Sequence, residues 1–341
     1  MLARQYLYNL RCWHLWVIMF KHLWYAVEFS TAITDRPQLI TIFDRPIAIY
    51  RGVNNTLYAV SNTCPHRGAA LANGTIQGNC IVCPYHGWHF QGNGNCVKIP
   101  ANAIGVMIPR QAIVTTYPVQ EKDGWVWLFL GDLAQAKITP LPEIPRIHRP
   151  NMRSIQGNFH WQVNYERAMD NGLDFAHAPF VHAGAFGNPD QPEVAPLEIE
   201  TQTMGASATV LLAPNPPKGL WKFLAKKEPA LVKTRTGFVL PNLTFLEVNL
   251  PFGTLVIWTA HVPTGPHTTV SKWMNFRSFF TGKWADGDAR KRTIKIFEQD
   301  QPIVEAQYPQ QLPSESAAEI FVAADLLQLK YRELRRQCRQ D

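Results

Sequence analysis

Residues 62–71 read NTCPHRGAAL, and residues 83–88 read CPYHGW. In both stretches a proline directly follows the cysteine, a histidine stands two or three positions on, and a glycine comes just beyond it. Sixteen residues separate His66 from Cys83. Proline stiffens each loop, and Gly68 and Gly87 permit close backbone approach with N–H donors near the sulfurs. Around the loops, residues 39–130 are short β-type runs broken by turn signals: LITIFDRPIAIYRG, TLYAV, HFQGNGNCVKI and DGWVWLFLG. This pattern predicts a small antiparallel β domain.

Past it, PLPEIPRIHRP (140–150) is proline-rich and predicts a linker. A helical stretch around NYERAMDNGLDFAHAP follows, then the strand-like SATVLLA, LTFLEVNL, TLVIWTAHVP and VSKWMNFRSFF, and a second helical run near 286–308. Strands segregated from helices make the second domain α+β. The expected order is an extension over 1–18, a first domain over 19–139, a linker over 140–150 and a second domain over 151–341.

The chain has 341 residues, of which 46% are apolar and 17% charged, enough for a globular protein of two domains. Its net charge of +7 gathers at DARKRTIK (288–295) and KYRELRRQCR (330–339). No basic stripe interleaved with stacking aromatics is present, which argues against nucleic acid; a solvated basic face and a docking face for an acidic protein are the two readings. The apolar LWVIMF (15–20) is too short to span a bilayer and lacks a cleavage site, so no membrane anchor and a reducing cytoplasm are expected. There, cysteines near histidines indicate metal chemistry rather than disulfides among Cys12, Cys64, Cys80, Cys83, Cys96 and Cys338. Cys80, His89 and His160 are expected to be structural.

Thiolate and imidazole ligands suit zinc or iron. Common zinc fingers pair Cys with Cys and His with His, whereas each loop here donates one of each. That mixture fits a two-iron cluster in which Cys64 and Cys83 hold one iron while His66 and His86 hold the other. CPHRG (64–68) and CPYHGW (83–88) resemble the Rieske 2Fe-2S motif in residues and spacing.

Residues 170–182 read DNGLDFAHAPFVH. On one helix Asp170, Asp174 and His177 would share a face, and Pro179 is expected to break that helix so that His177 and His182 converge. Two histidines and one carboxylate hold non-haem Fe(II) with positions left open. The stretch resembles the D-x-x-H-x-x-x-x-H motif of Rieske non-haem iron oxygenases. The resemblance implies that His177 and His182 bind a mononuclear iron and that Asp174 bridges His177 to His86 of another protomer. FEQDQPIVEAQ (297–307) resembles the carboxylate-bearing helix of demethylase-type members, which points to Asp300 as third ligand, with Glu298 and Glu305 as rivals.

The likeness runs from about Phe20 to the tail ESAAEIFVAADLLQLKYRELRRQ, which looks like the family's strand, Asp and final basic helix. It implies a β Rieske domain joined to a helix-grip catalytic domain, assembled as a head-to-tail homotrimer. It further implies a terminal oxygenase of the monooxygenase or O-demethylase branch, rather than a large ring-dihydroxylating dioxygenase, acting on O2 and a small apolar or aromatic substrate. No glycine-rich dinucleotide fingerprint is present, so NAD(P)H would act only through a separate ferredoxin or flavin reductase. The competing expectation is a Rieske electron-transfer or redox-sensing protein whose second domain only binds a ligand; a structural zinc protein is a third.

Overall fold

The computed structural model describes residues 20–144, 151–183, 186–194, 197–213, 231–313 and 319–340. The expected extension over 1–18, with Cys12, and most of the 140–150 linker lie outside the described residues. Two compact units emerge: one runs to Leu141 and takes in Pro263–Pro266, and the other comprises Pro142–Val262 and the chain from His267 onward.

The first unit holds three antiparallel sheets. Its strands are β1 (Leu23–Phe29), β2 (Gln38–Ile42), β3 (Arg45–Arg51), β4 (Leu57–Ser61), β5 (Thr75–Gln77), β6 (Cys80–Val82), β7 (His89–Gln91), β8 (Cys96–Lys98), β9 (Thr116–Tyr117), β10 (Val119–Lys122) and β11 (Trp125–Leu130), followed by the short helix α1 (Leu133–Ala136). They pair in the orders β1-β11-β10, β2-β3-β4-β9 and β5-β6-β7-β8. Asp123 and Gly124 link β10 to β11 with φ values of 57° and 80°, a two-residue turn whose twist suits a hairpin. All six residues of β11, WVWLFL, are buried. The first Cys/His loop lies between β4 and β5, and the second joins β6 to β7. Both cysteines belong to the core with Leu71, Ile81 and Phe90.

The second unit is α+β, as expected. Its elements are β12 (Arg153–Trp161), α2 (Tyr165–Leu173), α3 (Ala178–Val181), β13 (Glu198–Gln202), β14 (Gly205–Leu212), β15 (Val232–Val239), β16 (Leu243–Leu250), β17 (Gly253–Gly265), β18 (Thr268–Arg277), α4 (Asp286–Val304) and α5 (Leu326–Gln340). The seven strands form one sheet in the order β12-β18-β17-β16-β15-β14-β13. Helix α2 lies against β15 and β16 and also meets α4 and α5. Phe297 of α4 stacks on Phe159 of β12 at 5.2 Å and meets Trp161 edge-on at 5.9 Å. Val304 of α4 and Ala168 of α2 close the same apolar cluster with Trp161 and Val163.

Three local expectations change. Asp170, Asp174 and His177 do not share a helix face: α2 stops at Leu173, and Asp174 is extended with φ −84° and ψ 125°. Asp174 instead accepts the N–H of Ala176 at 2.7 Å, the side-chain-to-backbone bond that makes Asp a better cap than helix interior. Pro179 breaks nothing, because it sits in the first turn of α3, where its missing N–H has no cost. In the tail no strand forms among the described residues; Asp325 accepts the N–H of Val322 at 2.8 Å and α5 follows.

The two basic clusters also part ways. Residues 288–292 are mostly exposed on α4, whereas Arg332 and Arg335 of α5 are buried. Arg335 forms a two-pronged pair with Glu166, both contacts 2.7 Å, and Arg332 reaches Asp170 and Glu319. Those arginines are therefore neither a solvated face nor a docking face. Among the described residues, no helix is long and apolar enough to cross a membrane.

Candidate metal centres

The Cys/His loops are two copies of one turn. In the first, the Cys64 N–H donates to Ala69 O at 2.9 Å and the Gly68 N–H donates to Cys64 O at 2.9 Å. In the second, the Cys83 N–H donates to Trp88 O at 2.8 Å and the Gly87 N–H donates to Cys83 O at 3.0 Å. Gly68 and Gly87 stand at the same place with φ +73° and +68°, a left-handed conformation that explains glycine there. Cys64 and Cys83 are each only 2% exposed, while His66 is half-buried and His86 exposed. The thiols therefore point inward and the imidazoles lie near the surface.

The rings of His66 and His86 meet at 4.5 Å, inclined by 66°. Trp88, which closes the second Cys/His stretch, stacks parallel on His66 at 4.6 Å, with 8° between the planes. Burial pushes the Cys64 thiol up to about 11, so a thiolate there needs a positive partner. Burial and the neighbouring His86 hold His66 below the ordinary imidazole value, favouring the neutral ring that binds metals. The buried Nδ1 of His66 has no hydrogen-bond partner. Two inward thiols and two imidazoles form a donor set that fits an asymmetric iron–sulfur cluster. Cys80 and His89 lie on strands β6 and β7 and His160 on β12.

In the second unit, His177, His182 and Asp300 each aim one ligand atom at a common point, all within 4.8 Å of one another. His177 Nε2 is 3.2 Å from His182 Nε2. Asp300 Oδ1 lies 3.5 Å from the first and 3.3 Å from the second. His177 opens α3 and His182 closes it, so this one short helix turns both rings the same way. Asp300 comes from α4, whose helical assignment continues through Pro302 to Val304. Of the carboxylate rivals, Glu298 is exposed, and Glu305 accepts from the Gln162 N–H and from Gln301.

Two imidazole nitrogens and a carboxylate oxygen crowded together lack the protons to satisfy one another, and Asp300 Oδ1 is buried without a hydrogen-bond partner. The arrangement could hold a cation, and its ligand types fit Fe(II). Burial raises the Asp300 carboxyl above the ordinary carboxylate value, outweighing the pull of both histidines. Burial likewise lowers His182. At His177 burial is outweighed by Asp174 and Asp300, which raise it. At Asp174 burial is outweighed by His177 and the Ala176 N–H, which hold its carboxyl low; its Oδ2 lies 3.7 Å from His177 Nδ1.

Two further residues touch this site and carried no sequence expectation. Asn171, at the end of α2, hydrogen-bonds to Asp300. Gln299, next to Asp300, places Oε1 3.0 Å from His182 Nδ1. Their proximity in sequence to the motif residues was the available signal.

Both halves of the chain resemble known proteins. Toluene-4-sulfonate monooxygenase iron-sulfur subunit TsaM1 of Comamonas testosteroni is 31% identical over 64% of this chain and 66% of its own length. The oxygenase component of dicamba O-demethylase from Stenotrophomonas maltophilia is 34% identical over 48% of this chain and 47% of its own. The matched segments thus span less than two thirds of those relatives. The structure of Pseudomonas putida NdmA with caffeine superposes with a TM-score of 0.79 over 94% of this chain and 91% of that one at 23% identity, which shows a shared fold. Residues 23–118 match the Rieske [2Fe-2S] domain, which sets aside the zinc reading, and residues 161–341 match the vanillate O-demethylase oxygenase C-terminal domain. The second match alone takes in more than half of the sequence, and the chain belongs to the Rieske non-haem iron oxygenases of the vanillate O-demethylase type.

Proposed function

We propose that this protein is a terminal oxygenase that uses O2 and reductase-derived electrons to hydroxylate or oxidatively demethylate a small, largely apolar or aromatic substrate. The observation that carries the reading is the convergence of His177, His182 and Asp300 in a chain that also has a Rieske domain. A bare electron carrier has no use for such a triad. Cys64, His66, Cys83 and His86 hold the 2Fe-2S cluster, and His177, His182 and Asp300 hold the mononuclear Fe(II). When bound, the cluster stores single electrons and the Fe(II) supplies an oxygen-activating centre.

The chain's own residues do the rest. The outward imidazoles of His66 and His86 are the exit edge for electrons, while Cys64 and Cys83 keep the inner half dry. Asp174, about one third exposed at its side chain, is oriented by the Ala176 N–H and faces His177 Nδ1. Its free side receives His86 of another protomer in a homotrimer, which places the bridge outside any single chain. Two protein imidazoles and one carboxylate leave part of the metal's coordination sphere to substrate-controlled ligands. The electron donor is a separate ferredoxin or flavin reductase, in a reducing cytoplasm, and the exposed charge at 288–292 suits an acidic one.

The decisive test is iron per chain on anaerobically purified protein, with EPR after dithionite reduction. About three irons with a Rieske signal are expected. About two irons, with a second site that Fe(II) fails to fill, would overturn the oxygenase reading in favour of an electron carrier. His177→Ala is expected to abolish substrate-dependent oxygen uptake with the cluster signal intact.

A further inference from the structure

Helix α4 addresses a single imidazole with two consecutive residues. Gln299 Oε1 is 3.0 Å from His182 Nδ1, and Asp300 Oδ1 is 3.3 Å from His182 Nε2. The ring is only 2% exposed, so water is not at hand to replace either partner, and Phe186 covers it at 4.9 Å. We propose that Gln299 is a positioning residue that fixes the tautomer and plane of His182, so that its Nε2 lone pair is presented to the metal. The inference rests on the mononuclear-metal reading above.

The chemistry follows from what an amide oxygen can do. It only accepts, so the His182 Nδ1 facing it carries the proton and Nε2 is left unprotonated. That is the nitrogen standing 3.2 Å from His177 Nε2 and aimed at the common point. Rotation of the ring about its own axis would break the bond to Gln299 and carry Nε2 away from Asp300 together. The two histidines are therefore held unequally. His177 Nδ1 faces a carboxylate, Asp174, at 3.7 Å, longer than a hydrogen bond, whereas His182 Nδ1 has a close but neutral acceptor. Asp174 and Asp300 already bring two carboxylates to a largely buried site. A neutral acceptor orients the second imidazole without adding a third negative charge.

The test is a Co(II) titration of the full chain, with the cluster retained and the mononuclear metal removed by a chelator, followed by visible ligand-field absorption. Wild type should take up one Co(II), and His177→Ala should not. Gln299→Leu should weaken Co(II) about 10–100-fold, the usual cost of losing a ligand's outer partner, and change the band shape, with cluster absorption and Tm unchanged. Gln299→Glu keeps an acceptor oxygen at the same reach and should restore binding to within about tenfold of wild type. Wild-type affinity in Gln299→Leu overturns the proposal while leaving the metal site standing. Equal weakening in Gln299→Glu also overturns it, since packing rather than an acceptor would then be at work. Failure of wild type to bind Co(II) overturns the metal site and this inference with it.

Discussion

In the Cys/His loops, each turn is closed by its own two backbone N–H groups, and all four candidate ligands fall within Cys64 to His86. At the His/His/Asp site, Asp300 shares no element with either histidine and lies over a hundred residues away from them. The loops are rigid because of what adjacent residues do to one another. The second site keeps its geometry only while α2 and α4 stay packed on their sheet and on each other. It follows that the mononuclear site senses the stability of the whole second unit, and the cluster loops do not.

The largest expected effect comes from Arg335. It fastens α5 to α2 through Glu166 and also donates to the carbonyls of Leu312 and Pro313 at 2.9 and 3.0 Å. Arg335→Ala removes the two-pronged partner of the buried Glu166 carboxylate, a change that costs about 3–5 kcal/mol. In a urea titration of the Co(II)-loaded holoprotein, the Co(II) bands should vanish at much lower urea than in wild type, while cluster absorption keeps its midpoint. Simultaneous loss of both signals would break the comparison.

A pH effect of about 2 kcal/mol is next, and it too is confined to the second unit. Trp161 Nε1–H donates to Ser271 Oγ at 2.9 Å, Ser271 Oγ meets His261 Nδ1 at 2.9 Å, and His261 Nε2 meets Thr244 Oγ1 at 2.8 Å. This chain crosses β12, β18, β17 and β16 inside the sheet, and Thr244 backs onto Gly172 of α2. Burial lowers His261 from 6.5 to about 3. Its contribution is therefore fully present above pH 6.5 and declines as acid protonates the unfolded chain but not the fold. At about pH 5 the loss is on the order of 2 kcal/mol. His261→Gln, which keeps polar partners for both hydroxyls, should remove this part of the acid slope in urea midpoints measured between about pH 7 and 5. An unchanged slope would show that burial of this ring does not set the acid sensitivity.

How far each site could be read from the sequence tracks the same contrast. The loops were legible because local spacing and local turns are the same information: Cys64 and Cys83 open identical turns, and His66 and His86 follow two and three positions on, inside the same turns. DNGLDFAHAPFVH showed the two histidines but misled about the route. Helical periodicity put Asp170, Asp174 and His177 on one face, whereas the Asp174 side chain captured the Ala176 N–H and ended the helix there. Asp300 was separable from Glu298 and Glu305 only by resemblance, since which face of α4 turns inward depends on Phe159 and Trp161 of distant β12. The arginines of α5 read as a surface charge run because their acidic partners, Glu166, Asp170 and Glu319, are scattered along the chain.

The smallest expected effect tests whether the twin turns are equivalent in strength as well as shape. An alanine at either glycine must adopt positive φ, which costs about 1–2 kcal/mol. At Gly68 that is the whole cost, because an added Cβ meets nothing within 4 Å. At Gly87 the same Cβ comes 3.1 Å from Pro100 Cγ, so the loop must also move against a proline ring. Gly87→Ala should therefore lose more cluster than Gly68→Ala, read as iron and sulfide per chain, while Co(II) binding at the second site is unchanged in both. Equal losses would mean that backbone strain alone sets the cost and that the surroundings of the two turns count for nothing. A larger loss at Gly68 would mean that the first loop, whose histidine is the half-buried one stacked on Trp88, is the less tolerant of the two.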